Sequence, residues 1–482
     1  MSAPLPVPEA SPDRSGCPRC RELEQANAAL TRENETLKAR IERVQGRAEA
    51  AERAGKRQAA PFSKGSPKRR PKRPGRRPGA EYGTSARRPV PEHVDETLDV
   101  ALPDVCPDCG GSVESRDVVA DQYQTDIPPV RPHVTRFRIH LGTCRGCGRA
   151  VRGRHARQTS DALGAAASQL GPRAVALGAH LNKGLGLSFE KCTVLYETAF
   201  GIDVSPGGLC QALHRLARAT EPTYEALVAS IQAAPVVSAD ETGWKVGGDK
   251  TWLWTFATRD LTVYAIHDGR GFDQAASVLG ADYAGMLIRD GWAPYRRFEQ
   301  ATHQSCLAHL LRRSHQLIDA ALAGAARFPH GVRRILLKAL ELRDRSLRGE
   351  ISPHGLAVAR GMLEARMQRL LRWKPSNPDN LRFVKHLRTE QPHLFTFLYD
   401  LDVEATNWWA EQAIRPAVVT RKVCGGNRTW HGALTQEILA SVLATARKQR
   451  RDPFAVFVAL CCAPEPTVIR LQPAPPPELR PP

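Results

Sequence analysis

Apolar residues recur every seven positions near the beginning of the chain, at Leu23, Leu30, Leu37 and Val44. The positions four residues later hold two asparagines and one isoleucine: Asn27, Asn34 and Ile41. A short heptad pattern with polar residues at core positions favours a register-specific, two-stranded coiled coil, and therefore a homo-oligomer. The alternative is a single amphipathic helix that packs on its own chain.

A helical period follows later in the chain, from Thr159 to Ile231. Within it, Leu187–Phe200 is one apolar-periodic segment that Gly201 ends. Ser205-Pro206 then supplies an N-cap and a first-turn proline for the next helix. Two helices joined by a short glycine-containing turn resemble a helix-turn-helix, although plain helical packing gives the same pattern.

Beyond residue 234 the period changes from helical to alternating. Three runs predict strands: Pro235–Asp240, Thr251–Phe256 and Leu261–Ile266. A predicted helix and a further apolar strand follow them: Phe272–Leu279 and Gly285–Asp290. This order predicts an α/β domain with a mixed sheet. Asp240 and Asp290 end two of its strands, where α/β sheets present functional groups.

A long helical stretch from Ser305 to about Leu401 separates this sheet from a third acidic motif. Asn407, Glu411 and Arg415 are four residues apart and share one face of a predicted helix. Asp240, Asp290 and Glu411 together offer the oxygen ligands that Mg²⁺ prefers, and a pair of such ions supports in-line phosphoryl displacement. The alternative is that the strand-end aspartates only close turns.

Composition indicates a multi-domain protein with a polyanionic partner. The 482 residues are 42% hydrophobic, and 69 Lys and Arg against 50 Asp and Glu give a net charge of +19. Nucleic acid is the simplest partner for such a charge. The longest apolar run, Phe454–Ala463, is too short for a membrane span, and the first residues lack a secretory pattern. We therefore expect a cytoplasmic protein without a membrane partner.

The positive charge is concentrated in one segment. Residues 56–88 hold twelve basic residues and one acid in a stretch rich in Pro and Gly. Such a segment predicts an extended linker that neutralises DNA phosphates, although a solubilising linker has the same composition. The candidate DNA-binding residues there are Lys68, Arg69, Arg70, Lys72, Arg73, Arg76 and Arg77.

Two Cys-x-x-Cys pairs, separated by 34 residues, predict a structural zinc site formed by Cys106, Cys109, Cys144 and Cys147. Gly110 and Gly148 let each backbone turn so that its amides point at the thiolates. Strand-like runs at Asp117–Thr125 and Val134–Leu141 predict a zinc ribbon with a β-insert. A disulfide is less favoured, because nothing in the sequence indicates an oxidising compartment.

A third pair, Cys17 and Cys20, opens the predicted coiled-coil helix. Either two chains pool these pairs around one metal, or they are free thiols.

Three motifs together resemble bacterial insertion-sequence transposases of the family numbered sixty-six. They are Asp240-Glu-Thr-Gly-Trp, then Arg289-Asp-Gly-Trp with Cys306-Leu-Ala-His309, and then Thr406-Asn with Ala410-Glu411, Ile414-Arg-Pro and Arg421-Lys422. The order of parts is also similar, from the zipper through the Ala60-Pro-Phe-Ser-Lys linker to the short C-terminal element. The resemblance extends from about Leu23 to Leu460.

This resemblance implies a ribonuclease-H-like catalytic domain with an Asp-Asp-Glu triad and a helical insertion before the Glu. Asp240, Asp290 and Glu411 would then hold two Mg²⁺ ions, with Mn²⁺ as a substitute. The implied activity is Mg²⁺-dependent DNA transposition: binding of terminal inverted repeats, phosphodiester cleavage and transfer of 3′-OH ends to target DNA. It also implies a bacterial, nucleoid-associated protein, with accessory proteins of the element as further partners.

The motifs also give roles to neighbouring residues. By analogy Cys306 and His309 shape the site or contact DNA, although a packed helix start explains them equally and Cys-x-x-His supplies only two metal ligands. Trp408 and Trp409 either stack on an unpaired base or pack the helix. The candidate phosphate-binding residues around them are Arg415, Arg421, Lys422 and Arg428.

Trp408 and Gln412 depart from the family pattern, which has a second Asn and an Arg there. A decayed copy that acts as a DNA-binding repressor therefore stays open as an alternative. A structure-specific nuclease of the same fold is a further alternative.

The predicted organization has six parts, each with its own pattern. They are a coiled coil (16–53), a basic linker (54–102), a zinc ribbon (103–150), a helical segment (151–234), a catalytic domain (235–432, insertion about 310–400) and a C-terminal element (433–482).

Overall fold

The computed structural model describes residues 18–19, 22, 25–38, 41, 90–115, 118–321, 324–463 and 465–471. The chain divides into two units, Met1–Val94 and Asp95–Pro482. Residues 25–38 of the first unit are helical, and Leu30, Leu37 and Ile41 are exposed. Leu23, Val44, both N-terminal cysteines and the basic linker up to residue 89 lie outside the described residues.

The second unit begins with a small cysteine-bearing region. Its two strands, β1 (Leu141–Thr143) and β2 (Ala150–Arg152), pair antiparallel on either side of the second Cys pair. The prediction of strands at Asp117–Thr125 and Val134–Leu141 was wrong for residues 118–125 and 134–140, which form no regular structure. Val119 and Val134 are exposed there. An alternating segment forms a stable strand only where a neighbouring strand or a core covers one of its faces, and these segments have neither.

Three helices follow, α1 (Pro172–Ala179), α2 (Phe189–Phe200) and α3 (Pro206–Gln232). The side chains of Ser188 and Ser205 cap α2 and α3 by accepting the amides of Lys191 and Gly208. Gly201, with φ of +61°, ends α2 in the left-handed conformation that glycine adopts without strain. These ends agree with the helix boundaries that the sequence predicts.

The central sheet has five strands: β3 (Val236–Val246), β4 (Asp249–Ala257), β5 (Thr262–His267), β6 (Met286–Arg289) and β7 (Thr302–Ser305). Their order is β5-β4-β3-β6-β7. The first three strands are antiparallel neighbours, whereas β6 runs parallel to β3 and β7 parallel to β6. Helix α4 (Phe272–Leu279) connects β5 to β6. A mixed α/β architecture is therefore confirmed.

Helix α10 (Trp430–Lys448) covers the open edge of the sheet at β5. The amides of Thr262, Tyr264 and Ile266 donate to side chains of α10 at Thr445 Oγ1 (3.0 Å), Ser441 Oγ (2.9 Å) and Glu437 Oε1 (3.0 Å). These bonds satisfy groups that would otherwise invite strand pairing with another chain. Helix α11 (Pro453–Cys462) joins the same core through Phe457 and Leu460.

A helical insertion separates β7 from the next motif. It contains α5 (Leu307–Asp319), α6 (Arg327–Leu347), α7 (Pro353–Leu371) and α8 (Pro378–Glu390) around its own apolar core. Helix α9 (Trp408–Cys424) then returns the chain to the sheet. The insertion agrees with the stretch that the sequence predicts.

A buried ion pair joins this insertion to the sheet. Glu390, at the end of α8, accepts from Arg289, which ends β6, and both side chains are fully buried. Ser305 Oγ (2.6 Å) and Arg296 Nη1 (3.2 Å) also donate to the Glu390 carboxylate. The polar strand β7 is therefore held by partners from the insertion, and its lack of apolar alternation explains why the sequence pattern does not predict it.

Glu390→Ala would leave Arg289 buried without its anion, so we expect the free energy of unfolding to fall by about 3–5 kcal/mol. Equilibrium unfolding in urea measures this change. Glu350→Ala is the matched control, because the Glu350 carboxylate pairs with Arg345 and Arg348 on the exposed surface. Equal losses of unfolding free energy in the two variants would contradict a larger stabilising contribution from the buried pair.

Candidate active site

The strand register brings Asp240 and Asp290 to one level of the sheet. Ser238 of β3 pairs with Ile288 of β6 in parallel register. Each aspartate lies two residues beyond its member of that pair, so both lie at the same level of neighbouring strands. The prediction that Asp240 ends its strand was wrong, because β3 continues to Val246 in antiparallel pairing with β4. Asp290 Oδ1 accepts the amide of Trp292 at 2.8 Å, and Asp240 Oδ1 accepts the amide of Glu241 at 3.0 Å.

Asp240 experiences the charges of the other acids. Burial raises its pKa to about 8, with further upward contributions from the carboxylates of Glu241, Asp290 and Glu411. The third candidate, Glu411, lies in the first turn of α9. Three acidic groups from distant segments therefore share one electrostatic environment.

Asn407 holds α9 against the sheet. Its Nδ2 donates to the carbonyl of Ala239 at 2.6 Å, one residue before Asp240. Its backbone amide donates to Cys306 Sγ at 3.1 Å, and the amide of Cys306 donates to the carbonyl of Arg289 at 2.9 Å. This chain of three bonds, here called the Asn407 clamp, ties together the segments that carry the three acids. The sequence places Asn407 on the face of Glu411 but does not reveal its partners.

Glu241 is a fourth acid at the site, and its contacts indicate a structural role. Its carboxylate accepts from Arg270 Nε at 2.7 Å and from Tyr295 Oη at 2.5 Å. Burial and the charge of Asp290 raise its pKa, while the bonds from Tyr295 and Arg270 oppose that rise. No sequence pattern predicts this cluster, because Arg270 and Tyr295 belong to no recognisable motif.

A cavity of about 380 Å³ opens beside Asp290, with Cys306, His309, His386 and Glu390 in its lining. A Cβ at Gly291 would lie 2.0 Å from the His386 ring, so glycine is needed where α8 approaches the segment after Asp290. The insertion thus forms one wall of the candidate site.

Cys306 and His309 both face this site. Cys306 precedes α5 and is buried, which raises the pKa of its thiol to about 11. His309 Nε2 lies 3.7 Å from Glu411 Oε1, and Arg312 Nη2 lies 3.8 Å from the same oxygen. Among the described residues, Cys306, His309 and Glu411 are the one group of three His, Cys, Asp or Glu ligands whose donor atoms all lie within 4.8 Å. The three candidate acids and the thiols of the two described cysteine pairs form no such group.

The two cysteine pairs, Cys106 with Cys109 and Cys144 with Cys147, each lie in a tight backbone turn. Gly110 and Gly148 adopt φ of +71° and +70°, and their amides donate to the carbonyls of Cys106 and Cys144 at 2.8 and 2.9 Å. Bonds from the backbone of Cys109 and Asp108 lower the pKa of Cys106, and Cys147 and Gly146 do the same for Cys144. Such bonds stabilise thiolates, the form that binds metal.

The predicted DNA-binding residues on α9 and just after it differ in their surroundings. Arg421 donates to Thr242 Oγ1 at 3.1 Å and to the carbonyl of Gly243, so it anchors α9 to β3. Arg415 and Arg428 are exposed, and Lys422 is partly exposed. The seven basic residues of the linker lie outside the described residues.

The adjacent tryptophans also differ. Their rings meet edge to face, with centroids 4.5 Å apart. Trp409 packs against Ala257, Ala410 and Ala413, whereas Trp408 is 47% exposed. Helix packing therefore accounts for Trp409.

Within the described part of the chain, no helix combines the length and apolarity needed to cross a membrane.

Comparison with known proteins gives the sequence family. Residues 167–435 match the model of the Transposase IS66 family. Two Sinorhizobium fredii proteins named as uncharacterized are similar: y4qI is 25% identical over 293 residues, which cover 52% of each chain. The second, y4jD, is 24% identical over 288 residues, or 53% of this chain and 55% of that protein. The chain thus spans about half the length of these relatives. Because the family model matches more than half of its residues, the chain belongs to the IS66 transposase family.

Proposed function

We propose that this protein is a DNA transposase that binds the ends of its element, cleaves phosphodiester bonds and transfers the 3′-OH ends to target DNA by two-metal catalysis. Family membership implies a transposase-type function and DNA as the partner. The observation that carries the chemical proposal is the convergence of Asp240, Asp290 and Glu411 from β3, β6 and α9 through the Asn407 clamp.

The donor set at the site fits a hard divalent cation. Burial, together with repulsion from neighbouring carboxylates, raises the pKa of Asp240 to about 8, so the ionised cluster is costly without positive charge. Glu411 Oε1 is buried and has no hydrogen-bond partner. When bound to these carboxylates, Mg²⁺ or Mn²⁺ would activate the attacking oxygen and stabilise the leaving oxygen.

The protein's own residues hold this arrangement. The Asn407 clamp fixes the distance between α9 and β3, and the Arg289–Glu390 pair fixes the end of β6 next to Asp290. Exposed Trp408 is positioned to stack on an unpaired base near the cut. Arg415 and Arg428 add exposed positive charge for phosphates.

We also propose that the five-stranded sheet is the ribonuclease-H-like fold that the motifs imply. Its antiparallel β3-β4-β5 segment followed by parallel β6 and β7 supports this, as do Asp240 on β3 and Asp290 directly after the adjacent strand β6. The exposed Leu30, Leu37 and Ile41 support a coiled coil between two chains. The tight turns at the two cysteine pairs support one structural zinc ion at Cys106, Cys109, Cys144 and Cys147.

The proposed chemistry predicts that Asp240→Asn abolishes strand cleavage and strand transfer on DNA that carries the element's ends. The amide cannot supply an anionic oxygen to the cations, and catalysis of this kind depends on them. Gel analysis of labelled end DNA with Mg²⁺ measures both steps, and Asp282→Asn at an exposed loop is the matched control. Undiminished activity in Asp240→Asn would refute the assignment.

The same assay separates the two alternative functions from a transposase. A DNA-binding repressor would bind end DNA in a salt-sensitive way without any nicked product. A structure-specific nuclease would cleave unrelated duplexes as readily as element ends.

The zinc proposal predicts that Cys106→Ser releases the ribbon zinc, because loss of one thiolate opens a four-ligand structural site. If the ribbon reads the element ends, specific end binding falls with it. Metal analysis and fluorescence anisotropy measure the two effects, with Cys462→Ser as the control. Retained end binding in a zinc-free Cys106→Ser protein would show that the ribbon does not bind the ends.

A further inference from the structure

The Cys-x-x-His motif acquires a third ligand only in the folded chain. Cys306 precedes α5, His309 follows in its first turn, and Glu411 approaches from α9. One donor atom from each lies within 4.8 Å of the others, and His309 Nε2 lies 3.7 Å from Glu411 Oε1. These separations suit three ligands of one small cation, since zinc lies about 2.0–2.3 Å from each N, O or S donor.

The polar atoms of this cluster are incompletely satisfied. Glu411 Oε1 and His309 Nδ1 are buried without a hydrogen-bond partner. Buried polar atoms normally find partners, and an unpaired one commonly marks a place for an ion or ligand. Cys306 Sγ accepts the amide of Asn407 at 3.1 Å, the kind of bond that stabilises a metal-bound thiolate.

We propose that Cys306, His309 and Glu411 form a binding site for a zinc-class divalent cation, separate from the zinc ribbon and sharing Glu411 with the catalytic site. A thiolate, an imidazole and a carboxylate are zinc ligands, whereas Mg²⁺ prefers oxygen alone. Resting on the proposed function, this site makes Zn²⁺ an inhibitor: occupancy withdraws Glu411 from the Mg²⁺-dependent reaction. Binding converts the Cys306 thiol to a thiolate and releases its proton to solvent.

Cobalt binding tests the site without requiring activity. Co²⁺ replaces Zn²⁺ and gives sulfur-to-metal charge-transfer absorption, so the bound equivalents can be counted in the full-length chain. Wild type is expected to bind one more thiolate-linked equivalent than Cys306→Ser. His309→Gln keeps the thiol but removes the half-buried imidazole. The affinity of this site for Co²⁺ should therefore fall about tenfold or more.

Cys210→Ser is the matched control. Cys210 Sγ lies 3.4 Å from His214 Nε2, but this pair belongs to no three-ligand group among the described residues. It should bind cobalt as wild type does. Equal stoichiometry and affinity in wild type, Cys306→Ser and His309→Gln would overturn the proposal, whether or not the protein cleaves DNA.

The cleavage assay tests whether Zn²⁺ inhibits the reaction through this site. At fixed Mg²⁺, the Zn²⁺ concentration that halves the cleavage rate should rise about tenfold or more in His309→Gln relative to wild type. Each variant is compared with its own rate without zinc. An unchanged half-inhibitory concentration would refute inhibition through this site.

A second, independent feature is a groove of about 1580 Å³ between α6 and α7 of the insertion. Its exposed lining includes six basic residues: Arg327, Arg333, Arg334, Lys338, Arg366 and Arg369. Glu341 also lines the groove and pairs with Lys338 at 2.7 Å. Trp373 lies there with 41% of its surface exposed.

We infer that this groove binds the phosphate backbone of duplex DNA. Neighbouring cations repel one another unless a polyanion neutralises them, and the groove gathers them on two packed helices. Phosphates would release their counterions there, which gives salt-sensitive binding without sequence preference. A protein partner with an acidic surface is the competing outcome.

The double variant Arg333→Ala/Arg334→Ala tests this inference. In Mg²⁺-free buffer and an Asp240→Asn background, the slope of log affinity against log salt for an arbitrary duplex should become shallower by about 0.9 per lost phosphate contact. Arg345→Ala/Arg348→Ala is the control, because these arginines lie at the other end of α6 and pair with Glu350. Equal slopes and affinities in both doubles would overturn the inference and leave the catalytic proposal untouched.

Discussion

Like charges repel strongly where water is scarce, and the candidate site places Asp240, Asp290 and Glu411 within one another's electrostatic influence. The Asn407 clamp opposes this repulsion. Its bonds end at Ala239 and Arg289, each one residue before an aspartate, and its centre precedes α9. The clamp therefore holds the three segments together through backbone groups, and the carboxylates stay available to cations. The site's geometry depends on this one buried asparagine and on Cys306.

The helical insertion also supports the candidate site. Glu390 closes the buried pair with Arg289, and His386 packs over Gly291 beside Asp290. The insertion core around Phe328 and Met367 thus positions one wall of the site. The basic groove lies on helices α6 and α7 of this insertion. DNA bound there would be held by the element that also supports the end of β6.

Much of the fold follows from local patterns. Ser205 and Pro206 predict the start of α3, Gly201 predicts the end of α2, and the runs around Asp240 and Asp290 predict β3 and β6. Strand β7 escapes prediction because buried Gln304 and Ser305 are polar and are satisfied by distant partners. Between the two cysteine pairs, by contrast, the pattern predicts strands that do not form, because the alternating residues around Val119 and Val134 have no neighbouring strand.

The sequence by itself determined the ligand chemistry: two aspartates at the ends of apolar runs, a helical glutamate, paired cysteines and a Cys-x-x-His motif with two ligands. Caps, turns and periodicity are short-range interactions, so the chain encodes them within a few residues. Only the tertiary structure decided that Glu411 stands beside Cys306 and His309, and that arginines of two separate helices line one groove. Such neighbours are chosen by the packing of distant segments, and no local pattern records that choice.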